Sequence, residues 1–307
     1  MAEAEARKTL GGESSMDTIE LRKRLVRVEQ RRKCEEFRKA ALDLAIFQYH
    51  RMWLNFDGPV REMIKKNNGK LSCKIIGLIA SEYNIGRTVK LIPDDDITCE
   101  STKQKVRDKN LSKICNKFKK SAKKSRSLVA RANTIKNIAK SIHKTITLEN
   151  CKIDSYKKQG ENRDKYLPVS YASKLSWFFA PDDWTVFDNY VANAMGAKGN
   201  AKSGETSASR MINYYKKLQC AGFQGVVNRV SVNLAAAKLS YLPAERIIDI
   251  YLWAFGADMD SFCTTWKFAM CHKAVLDESI ADKLQAARND MDWIATECAL
   301  LPIPAHG

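Results

Sequence analysis

Lys174 and Asp188 bracket an aromatic-rich stretch, Ser173-Lys174-Leu175-Ser176-Trp177-Phe178-Phe179-Ala180-Pro181-Asp182-Asp183-Trp184-Thr185-Val186-Phe187-Asp188. Lys174 stands among apolar residues, where an ammonium is costly and its pKa falls. Asp188 precedes Asn-Tyr-Val-Ala-Asn-Ala-Met and reads as the N-cap of a helix. An amine that gives up its proton readily is a nucleophile for imine chemistry. A carboxylate fixed at a helix mouth can stabilise a developing positive charge. Each residue also has a plain alternative: a snorkelling helix lysine and a simple cap.

These two residues need elements to hold them. The spacing predicts a long helix from Asp17 or Thr18 to about Asn55, broken by Gly58-Pro59. Shorter helices are expected near 59–67 and 70–83, then near 205–220, 222–239 and 243–256. The last of these has Pro243 in its first turn and Gly256 at its stop. The segment Ile79–Ile92 resembles a helix-turn-helix, but Pro93 ends its second helix after about two turns. Pro93-Asp94-Asp95-Asp96 reads as a solvated cap, and Gly196–Gly204 as a small-residue loop. No stretch alternates β-branched residues, so the fold is expected to be all-α.

The chain has 307 residues and a formal charge of +17, a surplus that implies a polyanionic partner. Residues 101–150 hold fifteen Lys or Arg against two acids. An apolar stripe runs through them, from Leu111, Ile114, Cys115, Phe118 and Ala122 to Leu128, Ala132, Ile135, Ile138, Ala139, Ile142 and Ile146. This is a basic amphipathic helix, or two in series. One face packs, and the other meets phosphates through Lys113, Lys117, Lys119, Lys120, Lys123, Lys124, Arg126, Arg131, Lys136 and Lys140. Too few Trp, Phe and Leu line the apolar face for a membrane surface. From Tyr241 to Gly307 acids exceed bases, so the positive field is one-sided.

No apolar run approaches a membrane span, and residues 1–15 lack the apolar core of a secretory signal. They read as a disordered leader of a cytoplasmic protein. The nine cysteines are scattered and never spaced Cys-x-x-Cys, as expected of reduced, mostly buried thiols. No metal signature is present, and no cofactor is expected. The expected organisation is a leader (1–15), an N-terminal helical region (16–95), a basic helical region (96–150), a helical core (151–260) and C-terminal helices (261–307).

The block Leu167-Pro168-Val169-Ser170-Tyr171-Ala172-Ser173-Lys174, followed by Phe179-Ala180-Pro181-Asp182-Asp183-Trp184-Thr185-Val186-Phe187-Asp188, resembles the core of helix-hairpin-helix DNA glycosylases. The bacterial proteins of 8-oxoguanine-glycosylase fold are the nearest in pattern. The helix Ile248-Asp249-Ile250-Tyr251-Leu252-Trp253 is similar to a family helix as well. The resemblance implies a two-lobed helical fold and double-stranded DNA as partner. A modified base would be flipped out and excised. Lys174 then matches the catalytic lysine, attacking C1′ and permitting strand cleavage, and Asp188 the catalytic aspartate. Trp177 and Trp184 are the expected pocket walls. The biological setting would be repair, or antiviral defence against modified phage DNA. One departure stands out: Val169–Ser173 lacks the glycines that bring hairpin amides to a phosphate. A non-catalytic nucleic-acid binder on a decayed glycosylase fold therefore stays open, as does a helical regulatory protein with a basic face.

Overall fold

A computed structural model describes residues 28–69, 75, 78, 79, 82, 83, 127–150, 167–179, 185–197, 206–273, 288, 291 and 292. Among these residues there are helices and no strand, so the fold class is all-α as expected. None of these helices is long and apolar enough to cross a membrane.

Helices α1 (Val28–Lys33) and α2 (Glu35–Met52) fall within the single long helix expected from the sequence. They are separated at Cys34, which is extended (φ −89°, ψ 112°). The residues just before this break have a tertiary use. Arg31 donates to the carbonyls of Phe255 and Ala257, and Arg32 to that of Ala194. Two buried guanidiniums thus satisfy carbonyls at the ends of other helices, where cations suit the dipole. Helix α2 buries Phe37, Ala41, Leu44, Ala45, Ile46, Phe47 and Tyr49, which together cover more than one face. Helices apolar on most sides belong at the centre of a fold.

The expected break at Gly58-Pro59 is not found. The chain passes from α2 through a π-helical turn (Trp53–Asp57) into α3 (Gly58–Lys66). Pro59 lies in the first turn of α3, where its missing N–H costs nothing. The irregularity has moved upstream into the π-turn, a feature frequent at functional sites.

Helix α4 (Leu128–Asn150) is the described part of the basic segment. The predicted stripe is confirmed from Leu128 to Ile142, where Leu128, Ala132, Ile135, Ile138, Ala139 and Ile142 are buried; Leu111 to Ala122 lie outside the described residues, as does the side chain of Ile146. Helix α4 packs on α5 (Val169–Phe179) and on α7 (Ser207–Cys220). Between those two lie α6 (Asn189–Ala194) and the extended residues leading into it. Helices α8 (Phe223–Ala236), α9 (Ala244–Gly256) and α10 (Met259–Lys273) complete the set. The boundaries of α7, α8 and α9 fall within a few residues of those expected from periodicity.

Helices α2 and α9 form the centre, with α10 packed on α2 and α6 on α9. Phe37 meets Phe255 edge-on at 5.4 Å and Phe262 at 4.8 Å, joining α2, α9 and α10. Each such buried aromatic contributes roughly 1.5–3 kcal/mol by leaving water. Gly256 allows α6 and α9 to touch: a methyl there would fall on the Tyr190 carbonyl and lie 2.9 Å from the Ala194 nitrogen. Of the cysteines among the described residues, only Cys263 is buried, while Cys220 and Cys271 are exposed. The expectation of mostly buried thiols is therefore not met in this part of the chain.

Candidate active site

Three side chains bring Lys174 and Asp188 together. Helix α5 carries Ser170, Ser173 and Lys174 within two turns. The Ser173 hydroxyl accepts the Phe187 N–H at 2.9 Å, and Ser170 Oγ donates to the Phe187 carbonyl at 3.1 Å. From the other side Tyr215 donates to the Thr185 carbonyl at 2.6 Å. The extended residues 185–188 are thereby clamped between α5 and α7. Asp188 follows and caps α6, its Oδ1 accepting the Tyr190 N–H at 2.7 Å. That leaves Oδ2 to face α5, where it lies 3.6 Å from Lys174 Nζ. The predicted N-cap is confirmed.

Lys174 is the more buried of the pair, with 7% of its side chain exposed against 27% for Asp188. Burial pushes the Lys174 ammonium below the ordinary lysine range, against the opposing pull of Asp188. Arg246 lowers it further. The ammonium also lies 5.1 Å from the Tyr83 ring centre, a cation–π position.

Both side chains open on a cleft of about 650 Å³. Its other walls include Gln48, Met52, Glu82, Tyr83, Arg246, Asp249 and Trp253, and the start of α10 from Asp260 to Thr265. A buried network forms its floor. Arg246 donates to Asp249 and, at 3.0 Å, to the Tyr83 hydroxyl. Tyr83 in turn donates to Asp57 at 2.8 Å, and Arg246 Nε lies 3.9 Å from the same carboxylate. Burial raises Asp249 to about 6, with Arg246 opposing the shift. Asp57 is likewise raised by burial. The π-turn has a clear use here: it carries Asp57 at its end, underneath Arg246.

A second groove of about 760 Å³ opens beside Trp53, Arg61, Phe178 and Phe179. It is the larger space, but its lysine–carboxylate pair, Lys65 and Glu62 at 3.7 Å, is exposed to solvent, with 80% and 60% of the side chains accessible, so no ammonium there is desolvated. The buried lysine–carboxylate pair belongs to the smaller cleft.

Other expected residues are placed differently. Trp177 is fully buried, donates to Glu245 at 3.3 Å, and does not line the cleft. The guanidiniums of Arg61 and Arg246 lie 5.5 and 5.3 Å from its ring centre, and it serves the core instead of a pocket wall. The aromatic walls of the cleft are Tyr83 and Trp253. On α4, Lys140 is exposed and Arg131 and Lys136 are half-buried. Trp184, and Lys113 through Arg126, lie outside the described residues. So does most of the Ile79–Ile92 segment and the loop from 198 to 204. Among the described residues no cluster of metal-ligating side chains occurs.

The residues not anticipated are Tyr83, Asp57, Arg246 and Asp249. The last two had a readable signal: an arginine and an aspartate one turn apart at the head of the apolar stretch, Arg-Ile-Ile-Asp-Ile-Tyr-Leu-Trp. A charge pair in such a helix must be buried together or not at all. Compared with family models, curated proteins and solved structures, the chain matches none.

Proposed function

We propose that this chain excises a base from DNA, with Lys174 as nucleophile on the sugar C1′ and Asp188 stabilising the cationic sugar. The observation that carries this reading is the Lys174–Asp188 pair, 3.6 Å apart at the wall of a cleft. A desolvated amine beside a carboxylate is the arrangement that imine-forming catalysis requires. A cleft of about 650 Å³ has room for a flipped nucleotide, with Tyr83 and Trp253 as stacking surfaces. The reading extends to a two-lobed helical glycosylase fold, with duplex affinity supplied by the basic segment 101–150. Repair, or defence against modified phage DNA, is the corresponding setting, and the cytoplasm the corresponding compartment.

The test is base release by mass spectrometry across DNAs carrying modified bases, phage genomes among them. The expected result is release by the wild type, with Lys174→Gln and Asp188→Ala each at least a hundredfold slower. Equal release by Lys174→Gln would remove the lysine from the mechanism.

One observation favours a second reading, a nucleic-acid binder without catalysis. The cleft is lined by Glu82, Asp188, Asp249 and Asp260 against Lys174 and Arg246, a poor lining for a phosphate backbone. Under that reading binding is strongly salt-dependent and no base is released from any substrate.

A further inference from the structure

Lys174 must lose a proton before it can attack, and of the four carboxylates lining the cleft, Asp188 and Asp249 are the two whose charge acts on it. Asp188 is poorly suited. Its Oδ1 is committed to the Tyr190 N–H, and its negative charge is needed when the sugar becomes cationic. Asp249 is the other candidate. It stands on α9 and lines the same cleft. Arg246 holds its Oδ2, while its Oδ1 is buried near the Thr185 hydroxyl, and neither of those two atoms makes a well-formed hydrogen bond. A proton placed on Oδ1 therefore breaks no well-formed bond, while the Thr185 hydroxyl, by donating toward the carboxylate, favours its charged form. We propose that Asp249 is the proton-holding residue of the cleft, taking the proton of the Lys174 ammonium before the amine attacks. This rests on the base-excision reading.

The steps balance. The ammonium of Lys174 and the carboxylate of Asp249 become an amine and a carboxylic acid. The amine nitrogen bonds to C1′ as the bond from C1′ to the base breaks, its electron pair leaving on the base. The Asp249 proton then passes through the cleft to the departing base. The C1′–O4′ bond opens next, O4′ takes a proton from the lysine nitrogen, and the protonated imine remains. Asp249 ends as it began, a carboxylate.

Several groups bear on Asp249. Arg246 on its own helix lowers its proton affinity, as do Lys174 from α5 and the Thr185 hydroxyl, while Asp188 ahead of α6 raises it. Tyr83, and Tyr214 and Tyr215 from α7, also feel its charge. Asp57 from the π-turn and Tyr49 from α2 reach it through Arg246, which both contact. Arg31 and Arg32 of α1 are committed to main-chain carbonyls elsewhere. Burial is the largest influence and leaves Asp249 titrating at about 6, near neutrality, where a proton carrier is effective.

The full chain is incubated with an oligonucleotide carrying one abasic site, and the lysine–sugar imine is trapped with cyanoborohydride between pH 5 and 8. This probe bypasses base identity. Wild-type trapping is expected to fall about tenfold per unit below the pH where Asp249 protonates. Asp249→Asn removes that limb and slows trapping at least tenfold at pH 7. Thr185→Val, a gentler change, moves the limb to higher pH. A nearby charge that merely raised the Lys174 pKa would act with the opposite sign, because Asp249→Asn would then make the amine freer and trapping faster. Trapping by Asp249→Asn as fast as wild type, or faster, overturns the proposal. In a second arm the lysines are ¹³C-methylated and titrated by NMR. A Lys174 signal with a second inflection near pH 6, absent in Asp249→Asn, shows the shared proton even if wild type is never trapped. In that outcome the base-excision reading fails and the proton-sharing pair stands. No second inflection in wild type overturns the pair itself.

Discussion

Lys174 illustrates a residue kept at a cost to the fold. Its pKa is lowered by burial, so the unfolded chain holds this proton more tightly than the folded one. The sign follows: at pH values below the folded pKa the whole penalty is present, and stability recovers as pH rises toward the unfolded lysine value. Lys174→Met fills the same space without a charge. It is expected to be neutral or stabilising by about 1–3 kcal/mol at pH 7, while abolishing imine trapping. Urea unfolding beside the trapping assay checks both halves. Loss of stability would mean that the Asp188 contact outweighs desolvation. Glu245 makes a related prediction with the opposite pH sign. Burial raises it from 4.5 to about 7, so the folded state binds the extra proton between those values. Its contribution is fully present below about 4.5 and is lost as pH rises through 7, an effect of about 3 kcal/mol. Glu245→Gln keeps an acceptor for the Trp177 indole N–H. The variant is expected to be more stable than wild type at pH 8 and no better at pH 4.5. Because Asp249 is raised in the same direction, some slope persists in the variant.

At the scale of elements, the site depends on the clamp between α5 and residues 185–188 and on the contact of α6 with α9. Ser173→Ala removes the acceptor of the buried Phe187 N–H and should cost about 1–3 kcal/mol. Gly256→Ala is the more severe change, since its methyl meets main chain on both Tyr190 and Ala194, which cannot rotate away. About 3 kcal/mol or more is expected, with α6 displaced and Asp188 carried with it. Thermal melts read the first effect. The second shows as lost trapping in preparations that remain folded, and an unchanged melting temperature for Gly256→Ala would contradict the close approach. Helices α7, α8 and α9, the stripe of α4 and the Asp188 cap were all legible, because period and capping chemistry are local. The interruption at Cys34 was not, because it is set by carbonyls of Ala194, Phe255 and Ala257, distant in the chain. The same holds for the floor of the cleft. Asp57, Tyr83 and Arg246 lie on three separate segments, and nothing in any one of them announces the other two. Trp177 was misread for a related reason: an aromatic close to a cleft-lining lysine on the same helix can point to the opposite side, and this one meets Glu245.

Across the whole molecule, charge is distributed against the simplest picture of a DNA enzyme. The net is +17, yet acids outnumber bases both in the lining of the cleft and from Tyr241 onward. Under the base-excision proposal, attraction for the polyanion would be generated away from the cleft, which would admit a neutral base instead of its phosphates. Among the described side chains of α4 the exposed positions are Ala130, Asn133, Asn137, Lys140 and Ser141, and of these only Lys140 is charged. The burden falls on the preceding residues, where Lys119, Lys120, Lys123 and Lys124 form the densest group. Each lysine that displaces one counterion from duplex DNA adds about 0.9 to the slope of log affinity against log salt. Replacing those four with glutamine is expected to flatten the slope by about 3–4 and to weaken binding at low salt most. Fluorescence anisotropy with an undamaged duplex, from about 50 to 300 mM salt, measures it. The same variant should retain trapping on abasic DNA once the duplex is supplied at saturating concentration, because the pair Lys174–Asp188 is held by α5 and α6 and not by this segment. An unchanged salt slope would assign the positive charge to another partner, and lost trapping at saturation would place the basic segment inside the site.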